Sequence, residues 1–421
     1  MKVLVANKFL FRNGGSEAVM LAEREFLRAS GVEVVDFAMH DDRNPPSPYA
    51  SWFVANQRYG EGGSAAERLK TALKLIHSPE AVRKIGALID ATRPDLVHCH
   101  NIYHQLTPSI IGAARRRGVP VVLTLHDYKP VCPTYLRLRH GAPCSACLDG
   151  GPFNVVRHRC ADGSLARSAL LYAEAVVQRL LRSYEQVDTF IAPSEFMRAA
   201  VTRRFPPERV RLLYNGVDTR AITPADGDAG YVLYLGRLSA EKGIETLLEA
   251  HEGIADRVPL RIAGTGPLEA PLRARYPRAQ FLGHLSGAAI DEAIRGAALI
   301  AVPSRWYENC PISVLEAMAH GKPVVASAIG GIPELVVHEE TGLLFPPGDG
   351  RALADCLMRL MADASLRRRF GRAGRARVER RFSLEGHNAA LLGTYKEVLE
   401  SRRQGQTQVD IECSSTSTLL E

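Results

Sequence analysis

Apolar residues along the chain fall into two recurring patterns: short β-branched runs, and longer stretches in which they return every three or four positions. Lys2–Ala6 reads as a strand, Ser16–Ser30 as a helix closed by Gly31, and Val32–Phe37 as the next strand. That is a βαβ unit, whose helical crossover makes its two strands parallel. Strands are further predicted at Leu96–His100, Val121–His126, Thr189–Ala192 and Val210–Tyr214, with helical stretches such as Pro79–Ala91 between them.

The pattern then breaks. Thr223–Gly230 is rich in Pro, Asp, Ala and Gly and has no periodicity, as a short interdomain linker does. A second alternating series follows, with strands at Tyr231–Leu235, Leu260–Ala263, Gln280–Leu282, Leu299–Val302 and Val324–Ala326. The expectation is an α/β protein of two Rossmann-like lobes, residues 1–222 and 231–382 joined by the linker 223–230, whose parallel sheets face an interdomain cleft. Residues 383–400 read as a helix that packs back on the first lobe, and 401–421, polar with a Ser/Thr cluster, as a disordered tail. Asp41–Ala66, with Pro and Gly and little apolar pattern, is the other candidate for a mobile excursion.

Composition narrows the class. At 421 residues, 46% apolar and 24% charged, the chain suits two soluble globular domains. No run reaches the roughly 18 apolar residues of a membrane span, and Lys8 and Arg12 interrupt the N-terminal apolar stretch before a signal-peptide core forms. A cytoplasmic protein is expected, with its eight cysteines reduced. A net charge of +7 favours an anionic partner: nucleic acid, an anionic membrane surface or a phosphate-bearing substrate. Nucleic acid fits worst, because aromatic residues make up only 7% and no stretch interleaves them with basic ones.

The most informative stretch is Val302–Glu316, a strand end, a polar loop and a helix start that carry Glu308 and Glu316. Free N–H groups at the helix start, around Cys310, Pro311 and Ile312, suit a pyrophosphate. A carboxylate one turn into the helix can accept both hydroxyls of a ribose diol, and Glu308, ahead of the helix, can accept from a sugar hydroxyl. Spacing alone does not choose this over two surface glutamates.

The stretch resembles the glutamate-x7-glutamate motif of the retaining glycosyltransferases of family 4, which have the GT-B fold. Gly236-Arg237-Leu238-Ser239-Ala240-Glu241-Lys242-Gly243 is similar to that family's phosphate-binding loop, Ala263-Gly264-Thr265-Gly266-Pro267 to its nucleotide loop, and Gly330-Gly331-Ile332-Pro333-Glu334 to its next helix start. These stand in the family's order between residues 190 and 382, and the first lobe matches more loosely. The resemblance implies that Arg237 and Lys242 neutralise the diphosphate of a nucleotide-sugar donor, at the strand ends where open α/β sheets bind ligands. It assigns Gly264, Gly266, His284 and Leu285 to the nucleotide side, and Gly14 and Gly15 to the neighbourhood of donor phosphate and acceptor. His126 matches the family's active-site histidine, whereas His98, His100 and His104 have no equally specific match. Asn215-Gly216-Val217-Asp218 resembles its hinge, although Asn-Gly is first of all a turn signal.

Cys132, Cys144, Cys147 and Cys160 give C-x11-C-x2-C-x12-C, a spacing that fits a structural zinc knot and also fits four reduced thiols in a loop. Arg115, Arg116 and Arg117, with the amphipathic stretch Ser168–Val187, suit docking on anionic lipid. The arginines between 367 and 381 read as a solvated helix face. Taken together, the expected activity is transfer of a sugar from a nucleoside-diphosphate sugar to a glycan or lipid-linked hydroxyl, with no metal or other cofactor in catalysis, in polysaccharide or glycolipid synthesis. The alternatives are a sugar-nucleotide epimerase or hydrolase of the same architecture, or a noncatalytic basic scaffold.

Overall fold

The computed structural model describes residues 1–56, 72–225 and 227–417. In the first lobe the strands are β1 (Lys2–Ala6), β2 (Glu33–Phe37), β3 (Leu96–Cys99), β4 (Val121–Thr124), a small hairpin of β5 (Leu138–Arg139) and β6 (Ala142–Pro143), then β7 (Thr189–Ala192) and β8 (Val210–Leu212). Six of them form one parallel sheet in the order β2-β1-β3-β4-β7-β8. The second lobe holds β9 (Tyr231–Leu235), β10 (Leu260–Ala263), β11 (Gln280–Gly283), β12 (Ala297–Val302), β13 (Val324–Ser327) and β14 (Gly342–Phe345), again six parallel strands, ordered β11-β10-β9-β12-β13-β14.

Helices on both faces bury these strands, which is why they read as continuous apolar runs. Each sheet separates two apolar clusters, one built on Leu4, Val35 and Leu123 with its opposite on Val3, Val34 and Ile191, and a corresponding pair in the second lobe. The strand order reverses at β1/β3 and at β9/β12, so each lobe has a topological switch point at its carboxyl edge, where ligands bind in this architecture.

The chain crosses between lobes twice, and the crossings are hydrogen-bonded to each other: Val217 N donates to Phe382 O at 3.0 Å and Leu384 N to Val217 O at 2.9 Å. After the second crossing a helix runs Leu384–Ser417, past the boundary expected at 400, while residues 418–421 lie outside the described residues. Its Leu391 and Tyr395 are wholly buried in the first lobe's core. Of the excursion expected over 41–66, residues 57–66 lie outside the described residues. The rest folds against the lobe through a short helix at Ala50–Trp52 and a bridge from Val54 to Met39.

Candidate active site

The loops that leave β9, β10, β12 and β13 meet at the carboxyl edge of the second lobe. Gly264, with φ of +148°, lies so close to the preceding loop that a Cβ would stand 1.8 Å from the Gly236 carbonyl oxygen, and at Gly266 one would stand 2.4 Å from that of Leu238. The space that glycine frees here is filled by protein backbone, so these two glycines let the loops pack on one another. Gly15 is the contrast. A Cβ there would meet nothing within 4 Å, and the helix Gly15–Ala29 starts with no side-chain cap.

Glu308 is buried, and its Oε1 accepts from Lys242 Nζ at 2.7 Å and from Ser304 Oγ at 2.6 Å. Burial would raise its pKa, but the Lys242 charge and these hydrogen bonds win and hold it below the ordinary value. Lys242 keeps part of its surface open and stands 4.9 Å over the Trp306 ring, while Arg237 is exposed. Four residues beyond, the helix Ile312–Ala319 begins after Pro311 with no side-chain cap, its free N–H groups beside this cationic loop. Cys310 is buried, its carbonyl accepting from Asn215 Nδ2 at 2.8 Å, and Pro311 and Ile312 are half-buried. Glu316, one turn into the helix, is pushed up to about 7 by burial, and across the cleft Arg12 of the first lobe reaches to 4.0 Å from its Oε1. His284 is exposed at the end of β11, and Leu285 packs on the second lobe's core.

The first lobe supplies His126, just beyond β4. Burial holds its imidazole neutral, with the pKa lowered to about 4, and its Nε2 lies 3.0 Å from His100 Nδ1. The two lobes touch here: Asn309 Nδ2 donates to the His126 carbonyl at 2.8 Å, and the Tyr307 ring packs tilted against Phe196, centroids 4.8 Å apart. The Glu334 carboxylate accepts from the backbone N–H of Glu195 and of Phe196, each at 2.8 Å. The segment that carries Glu308 is thus clamped on the lobe opposite its own.

Comparison with known proteins bears on what this cleft does. Residues 13–221 match the family model described as Glycosyltransferase Family 4, and residues 218–377 match Glycosyl transferases group 1. A phosphatidyl-myo-inositol mannosyltransferase of Mycobacterium leprae is 32% identical over 315 residues, 70% of this chain and 79% of the relative. The chain belongs to the group 1 glycosyltransferases of family 4. A sulfoquinovosyl transferase of Arabidopsis thaliana is 27% identical over 84% of this chain, a match that spans 65% of that relative's length. The structure of Anabaena HepE in complex with UDP-glucose superposes with a TM-score of 0.65 at 19% identity, over 94% of this chain and 100% of that one, which gives the glycosyltransferase a GT-B fold. Family membership sets aside the epimerase, hydrolase and scaffold alternatives.

Reading the sequence of this glycosyltransferase missed Arg12, Tyr307 and Glu334 as cleft residues and passed over His100. The H-x-H spacing at the end of β3 was the available signal for His100. For Arg12 there was none. The four cysteines lie near one another without closing into a tight ligand set: among the described residues the one group of three or more His, Cys, Asp or Glu whose ligand atoms lie within 4.8 Å of one another is Glu23, His98 and His100. Cys132 and Cys147 come within hydrogen-bonding reach, but Cys144 takes the Ala146 N–H and Cys160 turns toward the Asn154 carbonyl. Of the C-terminal arginines, Arg368, Arg369, Arg372, Arg380 and Arg381 are exposed, as a solvated helix face requires, and Arg367 and Arg375 are not. Arg375 donates to the carbonyls of Ile222, Ala319 and Thr219, and Arg367 pairs with Asp228, so they fasten the linker. In the basic run, Arg115 pairs with Asp188 and Arg117 with Asp90.

Proposed function

We propose that this glycosyltransferase moves a hexose-type sugar from a nucleoside-diphosphate sugar to a hydroxyl of a glycan or lipid-linked acceptor, with retention, in cell-surface polysaccharide or glycolipid synthesis. One observation carries the reading: an ammonium held by a buried carboxylate, the Lys242–Glu308 pair, beside the uncapped N-terminus of the helix that bears Glu316. In this arrangement negative charge that builds on the departing diphosphate meets Lys242, the Arg237 guanidinium and helix N–H groups, which is electrostatic stabilisation of a leaving group. Glu316 accepts from the ribose diol, and Gly14 and Gly15 leave room on the opposite wall. His126 stands on the acceptor side near the bond being made.

The UDP-glucose in the Anabaena structure supports a nucleoside-diphosphate sugar as donor. Incubation with a panel of such sugars, with and without glycan and lipid acceptors, tests the reading by which diphosphate is released. Release of none with any donor would sink it.

A membrane-linked acceptor is favoured by a separate observation. Phe153, Leu165, Leu180 and Leu181 of the first lobe are 51–77% exposed, along and beside the helix Leu165–Leu180, which also carries Arg167 and Arg179. Apolar side chains flanked by arginines suit a peripheral contact with anionic lipid at the cytoplasmic face. No described helix is long and apolar enough to cross a membrane.

A further inference from the structure

Next to His126 lies a buried cluster that the glycosyl-transfer reading does not use. Glu23 comes from the helix Gly15–Ala29, His98 and His100 from the end of β3, and His387 and Tyr395 from the helix Leu384–Ser417. We propose that Glu23, His98 and His100 form a divalent metal site, of zinc type, that fixes His100 and through it His126.

The geometry points there in two ways. First, Glu23 Oε2 and His100 Nε2 are buried with no hydrogen-bond partner, a costly state for both. They stand 3.6 Å apart, and Glu23 Oε2 is 3.8 Å from His98 Nδ1. These gaps are too wide for hydrogen bonds and near the roughly 3.4 Å that separates two ligands of a tetrahedral zinc with bonds of about 2.05 Å. Second, the outward atom of each ligand already has a partner of the kind that orients metal ligands. His98 Nε2 lies 2.8 Å from Thr124 Oγ1, His100 Nδ1 lies 3.0 Å from His126 Nε2, and Glu23 Oε1 lies 2.9 Å from His387 Nε2.

Tyr395 Oη, now 2.6 Å from His98 Nδ1, is the fourth ligand atom, and ligation lengthens that contact by roughly 0.8 Å to the same tetrahedral spacing. A metal on His100 Nε2 leaves its proton on Nδ1, directed at His126 Nε2, so His126 carries its own proton on Nδ1. His100 is then a positioning residue.

The test uses the full chain purified without chelator. Elemental analysis should find about one zinc per chain. Cobalt(II) exchanged into the protein should give the visible bands of a tetrahedral nitrogen–oxygen site, without the near-ultraviolet thiolate charge-transfer band that the cysteine cluster would add. Glu23→Gln and His100→Asn should each lower metal affinity at least tenfold, and Cys147→Ser should leave it unchanged. If the variants do not fold, the cobalt spectrum of the wild-type protein decides by itself. A metal-free protein whose melting temperature ignores added zinc overturns the proposal, as does a cobalt spectrum with the thiolate band or metal lost only in Cys147→Ser.

Discussion

Lys242 donates to Glu308 at 2.7 Å, and the two partners differ in what they show to water: the lysine side chain is 27% exposed and the carboxylate 8%. The pair therefore presents a cation to the cleft and hides the anion that holds it. Sixty-six residues separate the partners, and the loops after β9 and β12 bring them together.

This asymmetry separates two effects of mutation. Lys242→Ala and Glu316→Ala should each reduce donor turnover by roughly ten- to a thousandfold, the range for one charge-assisted contact. Only Lys242→Ala should also cost stability, about 1–3 kcal/mol, because it takes from the buried Glu308 carboxylate its one cationic partner and leaves it neutral ones such as Ser304. Adding Glu308→Gln to Lys242→Ala should recover most of that loss in thermal melts while turnover stays low. Wild-type turnover in both single variants would refute the donor site.

Much of the fold was legible because parallel strands covered by helices on both faces must be apolar throughout. Tyr231–Leu235 and Leu260–Ala263 coincide with β9 and β10 for that reason. The strand β14, Gly342–Phe345, escaped because four residues after a turn carry too little pattern. In the site, local motifs gave Lys242, Glu308 and Glu316, since each stands in a loop or helix start with its own signature. What stayed hidden is contact between distant segments: Arg12 with Glu316, or Glu23 with His387, pairs that exist only once the lobes and the last helix have docked. The cysteines show a legible spacing of which the fold brings Cys132 and Cys147 together, while Cys144 and Cys160 also bond to local backbone groups.

Glu316 predicts a pH dependence. Its carboxyl is raised from an ordinary 4.5 to about 7 by burial, only partly opposed by Arg12. A diol needs the ionised form as acceptor, so donor affinity should fall as pH drops from 8 to 6, and Glu316→Gln should flatten the profile. For stability the sign is opposite. The folded protein holds this proton more tightly than the unfolded chain, so the residue costs nothing below about pH 4.5 and destabilises progressively as pH rises through 7. Titration calorimetry with the donor diphosphate at several pH values checks the first statement, and a profile that Glu316→Gln leaves unchanged would assign the dependence elsewhere.

The exposed leucines predict membrane behaviour. Leu180, 77% exposed, and Leu181, 51% exposed, end the helix Leu165–Leu180 and cover no core. Leu180→Glu with Leu181→Glu should leave the melting temperature within about 2 °C, as surface changes do, yet reduce co-sedimentation with anionic vesicles at low salt several-fold. Turnover of a water-soluble acceptor should not change. Equal sedimentation of variant and wild type would move the contact to another face.

Gly243 gives the sharpest link between packing and the site. It has a φ of +69° next to Lys242, and a Cβ there would stand 1.8 Å from the Pro303 carbonyl oxygen, on the loop that carries Ser304 and Glu308. Gly243→Ala must therefore both strain the backbone and push the two loops apart, and the flexible end of a side chain is not what it meets. Strain of this kind costs about 1–3 kcal/mol, and the displaced loop lengthens the Lys242–Glu308 contact. The expected outcome is a folded protein with a lowered melting temperature and a donor turnover reduced about as far as in Lys242→Ala, although neither charge is removed. Gly15→Ala is the control, because a Cβ there meets nothing within 4 Å and its helix favours alanine. It should keep or raise the melting temperature and lower turnover only if donor or acceptor occupies that space. A Gly243→Ala protein with wild-type turnover would show that the site tolerates separation of the two loops and that the pair is not held by their close approach.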